Sequence, residues 1–310
     1  MKPVMLAVVG DSAAGKTTFA DGVMQLLGSD RVATVCTDDY HRYDRVQRKQ
    51  LDITPLDPAC NYLDVLAQHL RLLAAGEPVL KPVYQHHDGT FGAPEYVVPR
   101  RFMVIEGLLA LHTRRMRDAF AVRVYLDPPE DLRRGWKVRR DCAKRGYAPA
   151  QVLAELERRE PDSAAFIRPQ RRSADIVVRF HPPDGVVDSA HLSMRMVLRP
   201  TISHMDLVEV AEEALAAGCR SIGLALGRDE GMPVDLLTVA AAISPEETSH
   251  IESLLWKRMD FDHHLERDDI GLFVEGNRRR HSDPLAIAQL FIAYHLLNEA
   301  AGGHDGRSRR

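Results

Sequence analysis

A glycine-rich loop near the start of the chain constrains its fold more than any other feature. The apolar run Val4–Val9 leads into residues 10–17, which fit G-x-x-x-x-G-K-[ST], and a helix-forming stretch follows. Glycines let several backbone N–H groups point at one centre, and the positive end of the helix adds to them. The loop therefore predicts a site for the phosphate chain of a nucleotide. A chance match is the alternative, but the strand before the loop and the helix after it are the context that the motif needs.

The residue types in this loop suggest individual roles. Lys16 is expected to reach the β- and γ-phosphates of ATP, and the hydroxyl of Thr17 to bind the Mg²⁺ that ATP carries. ATP and Mg²⁺ are thus the expected cofactors. The predicted ATP-binding residues are Gly10, Asp11, Ser12, Ala13, Ala14, Gly15, Lys16, Thr17 and Thr18.

Composition allows a sizeable core and argues against several functional classes. The 310 residues, 45% of them apolar, can form one large domain or two modest ones. The net charge of -3 argues against general nucleic-acid binding. No run approaches the roughly 18 apolar residues of a membrane span, and the first apolar run leads into the glycine-rich loop instead of a cleavage site. The four widely spaced cysteines predict neither a disulfide framework nor a zinc site. We therefore expect a soluble cytoplasmic protein with reduced thiols.

Strand-like apolar runs alternate with helix-like stretches through the first 180 residues. This alternation predicts an α/β fold, a P-loop NTPase-type mainly parallel sheet covered by helices on both faces. Ligands then collect at the carboxyl ends of the strands. The expected strands are Val4–Val9, Val32–Cys36, Phe102–Ile105, Val122–Leu126 and Ile176–Phe180, and the expected helices lie near 16–27, 61–75, 114–119, 129–144 and 149–159.

Two carboxylates and three regularly spaced basic residues follow the second expected strand. Asp38 and Asp39 stand at a strand end beside a phosphate-binding loop, which suits a general base for a substrate hydroxyl. His41, Arg45 and Lys49 recur every four residues, so on a helix they would share one face and form a cradle for a sugar-borne phosphate. A solvated charged turn before a helix with one charged face is an equally open alternative.

Another carboxylate, Glu106, ends the third expected strand, and Gly107 lets the chain turn sharply after it. A carboxylate at this place can hold Mg²⁺ directly or through water, opposite the Thr17 hydroxyl. A strand-ending glutamate at the surface is the alternative. Residues 80–89 are expected to form a long polar loop that either binds substrate or simply lies at the surface.

A strongly basic segment follows the fourth expected strand. Seven of the thirteen residues from 133 to 145 are basic, and Gly146 and Pro149 mark a break before the next helix. A basic helix–turn–helix predicts a lid, about residues 129–160, that closes over ATP, excludes water and brings an arginine to the transferring phosphoryl group. A solvated basic helix face is the alternative.

Together these segments resemble one family, the phosphoribulokinases within the phosphoribulokinase/uridine kinase group of P-loop kinases. The resemblance covers roughly residues 3–180, whereas the C-terminal third is similar only more loosely. It is carried by Gly10–Thr18, by Asp38-Asp39-Tyr40-His41 with Arg45 and Lys49, by Lys81-Pro82-Val83-Tyr84 with His86, by Trp136–Asp141 with Arg145-Gly146, and by Pro161–Gln170.

The resemblance implies MgATP-dependent phosphorylation of the 1-hydroxyl of ribulose 5-phosphate, which gives ribulose 1,5-bisphosphate. It implies that Asp38 takes the hydroxyl proton and that Glu106 holds the metal together with Thr17. By the same resemblance, ribulose 5-phosphate would be bound by His41, Arg45, Lys49, Tyr84, His86 and Arg145, the transferring phosphoryl group would be stabilised by Lys16, Lys137 and Arg140, and Asp141 would be a further essential carboxylate. The expected partner is this small molecule, with no nucleic acid or membrane, and the chain is expected to be a homo-oligomer, a dimer or larger.

One departure from the family pattern concerns cysteine. Plant-type members carry a redox pair, with one cysteine in the phosphate loop and one just before the Asp-Asp-Tyr-His block. Here Cys36 fills the second place, but Ala14 fills the first. Because a disulfide needs both partners within about 7 Å at Cα, we predict no thioredoxin-type control at this site.

The region beyond residue 185 has a different, mixed character. We expect a P-loop kinase core over 1–185, an accessory α+β region over 186–300 and a flexible tail over 301–310. In the accessory region the expected strands are His191–Arg199 and Cys219–Leu226, and the expected helices are Asp206–Ala217, Glu246–Met259 and Asp283–Ala300.

Other functions stay open at this stage. A kinase of another pentose phosphate, or of a nucleoside as in uridine kinases, is the nearest alternative, although a nucleoside has no phosphate for the basic residues to bind. A nucleotide-dependent switch is a second, but no asparagine is followed by lysine, so a guanine-reading Asn-Lys-x-Asp motif is absent from the sequence. An inactive nucleotide-binding module is opposed by the complete set Lys16, Thr17, Asp38, Glu106 and Arg140.

Overall fold

The computed structural model describes residues 2–183, 191–259, 270–275 and 278–302. In these residues the strands are β1 (Val4–Gly10), β2 (Val32–Cys36), β3 (Val79–Lys81), β4 (Tyr84–Gln85), β5 (Thr90–Phe91), β6 (Glu95–Val97), β7 (Phe102–Gly107), β8 (Val122–Leu126), β9 (Ile176–His181), β10 (Ser193–Leu198), β11 (Ile222–Asp229), β12 (Met232–Val239), β13 (Leu272–Glu275) and β14 (Arg278–His281). The α-helices are α1 (Lys16–Leu27), α2 (Arg45–Gln50), α3 (Leu63–Ala75), α4 (Arg114–Arg117), α5 (Glu130–Arg145), α6 (Pro149–Asp162), α7 (Leu207–Ala216), α8 (Pro245–Lys257) and α9 (Asp283–Gly302).

The chain divides into two compact units, of which the first comprises Met1–Lys16, Asp30–Leu126 and Glu130–Ala174. Its four long strands are all parallel and lie in the order β2-β7-β1-β8. Every residue of β1 is buried, and so is every residue of β7 except Glu106, which is half-buried. Strands buried on both faces are typical of a parallel sheet covered by helices. The predicted mainly parallel α/β sheet is confirmed.

The register of this sheet brings three strand ends together. Val8 of β1 and Cys36 of β2 both lie opposite Glu106 of β7. The loop after Gly10, the turn that begins at Thr37 and the carboxylate of Glu106 therefore share one edge of the sheet, the carboxyl edge, where the topology of parallel strands places ligands.

The segment after β2 is a turn followed by a helix, and not the single helix on which His41, Arg45 and Lys49 would share one face. A 3₁₀ turn, Thr37–Tyr40, is followed by an extended residue, His41, and α2 begins only at Arg45. The helix begins there because the Asp44 side chain accepts a hydrogen bond from the N–H of Gln47, while the Gln47 side chain accepts one from the N–H of Asp44. The shared helical face of His41, Arg45 and Lys49 was therefore wrong, since His41 precedes the helix.

Residues 80–89 are also more ordered than a polar loop. They contain the end of β3 and all of β4, which pair with β6 and β5 in short antiparallel ladders. Strands of two or three residues are too short to show a period of two in the sequence, which is why this segment was predicted as a loop. His86 and His87 lie in the turn at 86–89 and are exposed.

The basic segment forms the two helices that its sequence predicts. Helices α5 and α6 are separated at Gly146, which has a φ of +68°, and Pro149 occupies the first turn of α6. A π-helical turn, Ser163–Ile167, and a 3₁₀ stretch, Arg168–Ser173, continue from α6. The helix–turn–helix is confirmed, and its action as a lid stays a prediction.

The second unit comprises Thr17–Ser29, Asp127–Pro129 and Asp175–Arg310. Its strands are antiparallel in the order β9-β10-β12-β11, and α9 packs on β10 and α8. The sequence analysis missed β12, which begins Met232-Pro233, and the hairpin β13–β14. Across the described residues, no helix has the length and apolar character needed to cross a membrane. The boundary near 185 stays a prediction, and most of the predicted tail lies outside the described residues.

Candidate active site

The phosphate loop after β1 curls around the ammonium group of Lys16. Its Nζ donates hydrogen bonds to the carbonyl oxygens of Gly10, at 3.0 Å, and Asp11, at 2.9 Å. Gly15 has a φ of +92°, and a Cβ built on it would meet no atom within 4 Å. There is therefore open space beside Gly15, a residue whose backbone only glycine adopts without strain.

Burial and three nearby carboxylates have opposing effects on the pKa of Lys16. Burial lowers the pKa of Lys16, and the carboxylates of Asp38, Glu106 and Asp11 oppose that lowering. A phosphate chain beside this buried ammonium group would further oppose the lowering of its pKa and so help to keep Lys16 charged. Thr17 and Thr18, the other predicted members of the loop motif, follow Lys16 directly as residues of α1.

The start of helix α5 and the end of α6 fix the conformation of this loop. Asp11 is buried and accepts a short hydrogen bond from the hydroxyl of Ser163. Arg133 donates to the carbonyl oxygen of Ser12 at 2.8 Å and lies 3.6 Å from the Asp11 carboxylate. Neither Arg133 nor Ser163 was singled out from the sequence. The signals were present, because Arg133 precedes Lys137 by one helical turn and Ser163 lies in the segment after the lid.

The two neighbouring carboxylates Asp38 and Asp39 have different surroundings. Asp39 is buried, lies 2.7 Å from the ammonium of Lys81 and accepts the backbone N–H of Tyr84 at 2.9 Å. The Asp38 side chain is 25% exposed and lies 4.0 Å from Nε2 of His86. Asp39 is thus held within the fold, whereas Asp38 can meet a ligand.

Asp38 is an ionised carboxylate at neutral pH. Burial alone would raise its pKa, but the positive charges of His41, Lys16 and His86 lower it overall. Burial lowers the pKa of both His41 and His86, so these imidazoles are neutral near pH 7. The lasting positive charges that act on Asp38 are therefore those of Lys16 and Arg159. A carboxylate beside the phosphate loop is available as a base.

Asn61 sets the protonation state of His41. The amide of Asn61 donates to the carbonyl oxygens of Pro55 and Asp57, so its oxygen must be the acceptor that lies 2.7 Å from Nδ1 of His41. The neutral ring of His41 then carries its proton on Nδ1 and leaves Nε2 as an acceptor. Such a ring accepts a hydrogen bond from a sugar hydroxyl and does not donate one to a phosphate.

Three arginines from two helices, α2 and α5, act on His86 or on one another. Arg45 on α2 donates to the carbonyl oxygen of His86 at 2.7 Å. The charges of Arg145 and Arg140 add to the effect of burial in lowering the pKa of His86. Burial lowers the pKa of Arg145, and the charge of Arg45 contributes to the same shift. The charges of these groups therefore affect one another's pKa. Lys49, the other predicted phosphate ligand on α2, is exposed.

Tyr84 is a buried support between two of the predicted substrate ligands. Its ring packs edge-on against His41, with centroids 4.8 Å apart, and against His86, at 5.1 Å. Its hydroxyl accepts a hydrogen bond from Arg48, whose guanidinium also lies over the ring. The predicted direct contact of Tyr84 with substrate stays a prediction, and Arg48 and Asn61 are residues that the sequence analysis missed.

Asp141 on α5 is surrounded by cations. Its carboxylate lies 3.0 Å from Lys137, 2.9 Å from Arg140 and 3.7 Å from Arg145. Burial, aided by Arg140 and Arg159, lowers the pKa of Lys137 to about 8 against the opposing effect of Asp141. Burial alone would raise the pKa of Asp141, but Lys137 and Arg140 lower it. One carboxylate thus holds three positively charged side chains close together, and the four residues have a net positive charge.

The end of β7 offers oxygen donors for a metal ion. Glu106 lies in register with Val8, two residues before the phosphate loop begins. A Cβ on Gly107, which has a φ of +153°, would lie 1.7 Å from the hydroxyl oxygen of Thr37, so the backbone after Glu106 contacts the Thr37 side chain closely. A carboxylate is a hard oxygen donor of the kind that Mg²⁺ takes, so the chemistry of Glu106 fits that ion.

Cys36 lies beside these carboxylates. Burial raises the pKa of its thiol well above the usual value, and the charges of Asp38 and Glu106 raise it further. The thiol is therefore protonated at neutral pH in the protein as described. Cys36 is unpaired in the structure.

Comparison with known proteins assigns a family to this fold. A family model described as "Phosphoribulokinase / Uridine kinase family" matches residues 5–186. A phosphoribulokinase of Synechocystis sp. is 35% identical over 222 residues, which cover 71% of this chain and 67% of that protein. The chloroplastic phosphoribulokinase of Mesembryanthemum crystallinum is 31% identical over 230 residues, which cover 68% of this chain but only 58% of the plant protein.

A solved structure shows the same fold. The phosphoribulokinase from Rhodobacter spheroides superposes with a TM-score of 0.59 over 83% of this chain and 97% of that chain. The two sequences are 18% identical, so this likeness concerns the fold alone.

Proposed function

Since the chain belongs to the phosphoribulokinase/uridine kinase family, we propose that it transfers the γ-phosphoryl group of ATP to the 1-hydroxyl of ribulose 5-phosphate. The products are ribulose 1,5-bisphosphate and ADP. The single observation that carries the proposal is the position of Asp38, an ionised carboxylate with the Lys16 ammonium as one neighbour and His86, within the field of Arg145 and Arg140, as another. One base between two cationic groups suits an acceptor that itself bears a phosphate.

On the nucleotide side, the open phosphate loop and Lys16 bind the triphosphate. Glu106 and Thr17 would hold Mg²⁺, which when bound offsets the charge of the phosphates. Arg133 and Ser163 keep the loop in the conformation that leaves its inner side open. Lys16 exchanges its hydrogen bonds to Gly10 and Asp11 for phosphate oxygens when ATP binds.

On the acceptor side, Asp38 takes the proton of the attacking hydroxyl. His41, with an acceptor at Nε2, binds another sugar hydroxyl, and Asn61 keeps the ring in that tautomer. Arg45 and Arg145 bind the 5-phosphate as a fixed dianion. A nucleoside acceptor would leave these two guanidinium groups without an anionic ligand, which favours the sugar phosphate over a uridine-type substrate.

In the transition state, charge develops on the transferred phosphoryl group, and preorganised cations stabilise it. Lys137 and Arg140 are held for this role by Asp141. The lid helices α5 and α6 exclude water, because an open site would hydrolyse ATP instead of phosphorylating the sugar.

The test is a coupled assay of ADP formation with ribulose 5-phosphate, ribose 5-phosphate, xylulose 5-phosphate and uridine as acceptors. We expect ribulose 5-phosphate to give the highest kcat/KM. A higher value with either of the other pentose phosphates would replace the substrate, and a higher value with uridine would replace the proposal by a nucleoside kinase. ATP turnover that is the same with and without every acceptor would contradict a kinase.

The role of Asp38 is tested by Asp38→Asn. The change keeps the shape of the side chain but removes the base, so we expect kcat to fall by about 10²–10⁴ while ATP binding is retained. Asp64→Asn, the same chemical change at an exposed residue of α3, serves as the control and should leave kcat unchanged. Unchanged turnover of Asp38→Asn would remove Asp38 from the mechanism.

A further inference from the structure

Three potential metal ligands of different chemistry meet at the end of β2. The thiol sulfur of Cys36, a carboxylate oxygen of Asp38 and a ring nitrogen of His86 all lie within 4.8 Å of one another. The carboxylate and imidazole are 4.0 Å apart. Cys36 ends the strand, Asp38 lies in the 3₁₀ turn that follows, and His86 lies in the turn after β4. Sequence spacing could not reveal this group, because His86 is 50 residues from Cys36 and 48 residues from Asp38 along the chain.

We propose that Cys36, Asp38 and His86 form an inhibitory binding site for Zn²⁺, separate from the ligand set of the catalytic Mg²⁺. Thiolate and imidazole are the ligands that zinc prefers, whereas Mg²⁺ takes hard oxygen donors and keeps several waters. The donor set therefore selects zinc over the magnesium ion that accompanies ATP. A water molecule completes the usual four ligands.

The distances are close to those of a zinc site. Zinc bonds of about 2.0–2.3 Å in a tetrahedron separate neighbouring ligand atoms by roughly 3.5 Å. The separations here, at most 4.8 Å, must shorten by about an ångström. The imidazole of His86 is 48% exposed on a turn, so rotation of this side chain can supply most of that change.

Charge and protons balance in this site. Binding releases the thiol proton of Cys36 to solvent and forms a sulfur–zinc bond, so the thiolate and the Asp38 carboxylate together cancel the two charges of the ion. Glu106, opposite Cys36 in the β2–β7 register, adds a further carboxylate nearby and offsets the ammonium of Lys16. Because position 14 is alanine, Cys36 has no disulfide partner in the phosphate loop and keeps its sulfur for a metal.

The inhibitory consequence rests on the proposed function. A zinc-bound carboxylate cannot accept the proton of the substrate hydroxyl, and His86 is turned toward the ion and away from the sugar. Zinc would therefore stop phosphoryl transfer at the acceptor side while leaving the phosphate loop free to bind ATP.

Cobalt(II) spectroscopy tests the site without any assay of activity. Co²⁺ added to the metal-free protein without nucleotide should give a thiolate-to-metal charge-transfer absorption at one equivalent, displaced by Zn²⁺. The absorption should be lost in Cys36→Ser and Cys36→Ala and retained in Cys142→Ser, which removes a half-buried cysteine outside the cluster. Absence of the absorption in the unmodified protein, or its loss in Cys142→Ser alone, would overturn the proposal.

Kinetics then test the consequence. With each variant normalised to its own metal-free rate, Cys36→Ser should need more than about tenfold more Zn²⁺ for half-inhibition than Cys142→Ser, since losing a ligand costs at least as much as losing an outer partner. Equal zinc sensitivity would contradict the inhibition. A cobalt signal from Cys36 in a protein without kinase activity would instead keep the metal site and reject the proposed function.

Discussion

Two charge clusters in the first unit, each with a buried residue at its centre, have opposite balances of positive and negative charge. Around Asp141, whose side chain is 5% exposed, stand the three cations Lys137, Arg140 and Arg145. Around Lys81, whose side chain is 6% exposed, stand the two carboxylates Asp39 and Glu95. We call these the α5 cluster and the Lys81 cluster.

The difference separates a cluster that can bind a ligand from one that serves the fold. The α5 cluster has more positive charge than its single carboxylate can neutralise, so an incoming phosphoryl group improves its balance. In the Lys81 cluster the ammonium group already has two carboxylate partners. Asp39 also accepts the N–H of Tyr84, so an anionic ligand would find no unneutralised positive charge there. Removal of one partner from a closed buried cluster leaves an uncompensated charge and destabilises the protein.

The largest expected effect is on stability and concerns the Lys81 cluster. Lys81→Met leaves the carboxylate of Asp39 buried without its cation, so the free energy of unfolding should fall by about 3–5 kcal/mol. Urea denaturation measures it. The control is Glu95→Gln, which alters the exposed partner and should cost no more than about 1 kcal/mol. Equal losses in the two variants would show that Lys81 is not the centre of a closed cluster.

The next effect concerns turnover and the α5 cluster. Arg140→Met removes one preorganised cation from the phosphoryl group, so kcat should fall by about 10²–10³. Its side chain is 36% exposed, so the unfolding transition should shift little. Arg139→Met, a change at the exposed neighbouring residue, is the matched control for charge. If both variants lose turnover equally, overall charge and not the cluster would be responsible.

A smaller effect distinguishes two basic residues of α2. Arg45→Ala should raise the KM for the sugar phosphate by about 10–100-fold, the worth of a charged hydrogen bond, with little change in the KM for ATP. Lys49→Ala, at an exposed residue, should raise it less than about fivefold. Steady-state kinetics with each substrate varied in turn provide the measurement. A selective defect in ATP binding for Arg45→Ala would contradict its assignment to the acceptor phosphate.

The smallest effect at neutral pH is a pH dependence from the α5 cluster. Lys137 has a pKa of about 8, lowered mainly by burial, and only its charged form stabilises the phosphoryl group. As pH rises through 8 that form is lost, so kcat/KM should be about halved at pH 8 and fall about tenfold for each further unit. Lys137→Arg keeps the charge, and the decline should move to higher pH. An unchanged alkaline profile in Lys137→Arg would assign the titration to another group.

Sequence reasoning succeeded where the signal is local. Helix α1 and strands β2 and β8 have the bounds that were predicted, because a loop glycine or a change of apolar period marks their ends. The parallel sheet followed from the alternation of such elements. Residues that are neighbours along the chain, such as Lys16 and the loop glycines, needed no knowledge of the fold.

Sequence reasoning was limited where partners are distant along the chain. Asp39 differs from Asp38 through its ion pair with Lys81, 42 residues away, and its hydrogen bond from the N–H of Tyr84, 45 residues away. The contact between Ser163 and Asp11 spans 152 residues. The four-residue period suggested that His41 could share a helical face with Arg45 and Lys49, but Asp44 caps the helix and His41 precedes it. The homo-oligomer, the cytoplasmic location and the lack of disulfide control stay predictions.

The near-contact of Gly107 with Thr37 has a consequence for redesign. Anyone who transplants residues 37–49 from a relative to change the accepted sugar would import a new side chain at 37 against an unaltered backbone at 107. Residues 37 and 107 therefore have to be substituted together. A bulkier side chain at either position would separate the two strand ends and move Asp38 away from Glu106.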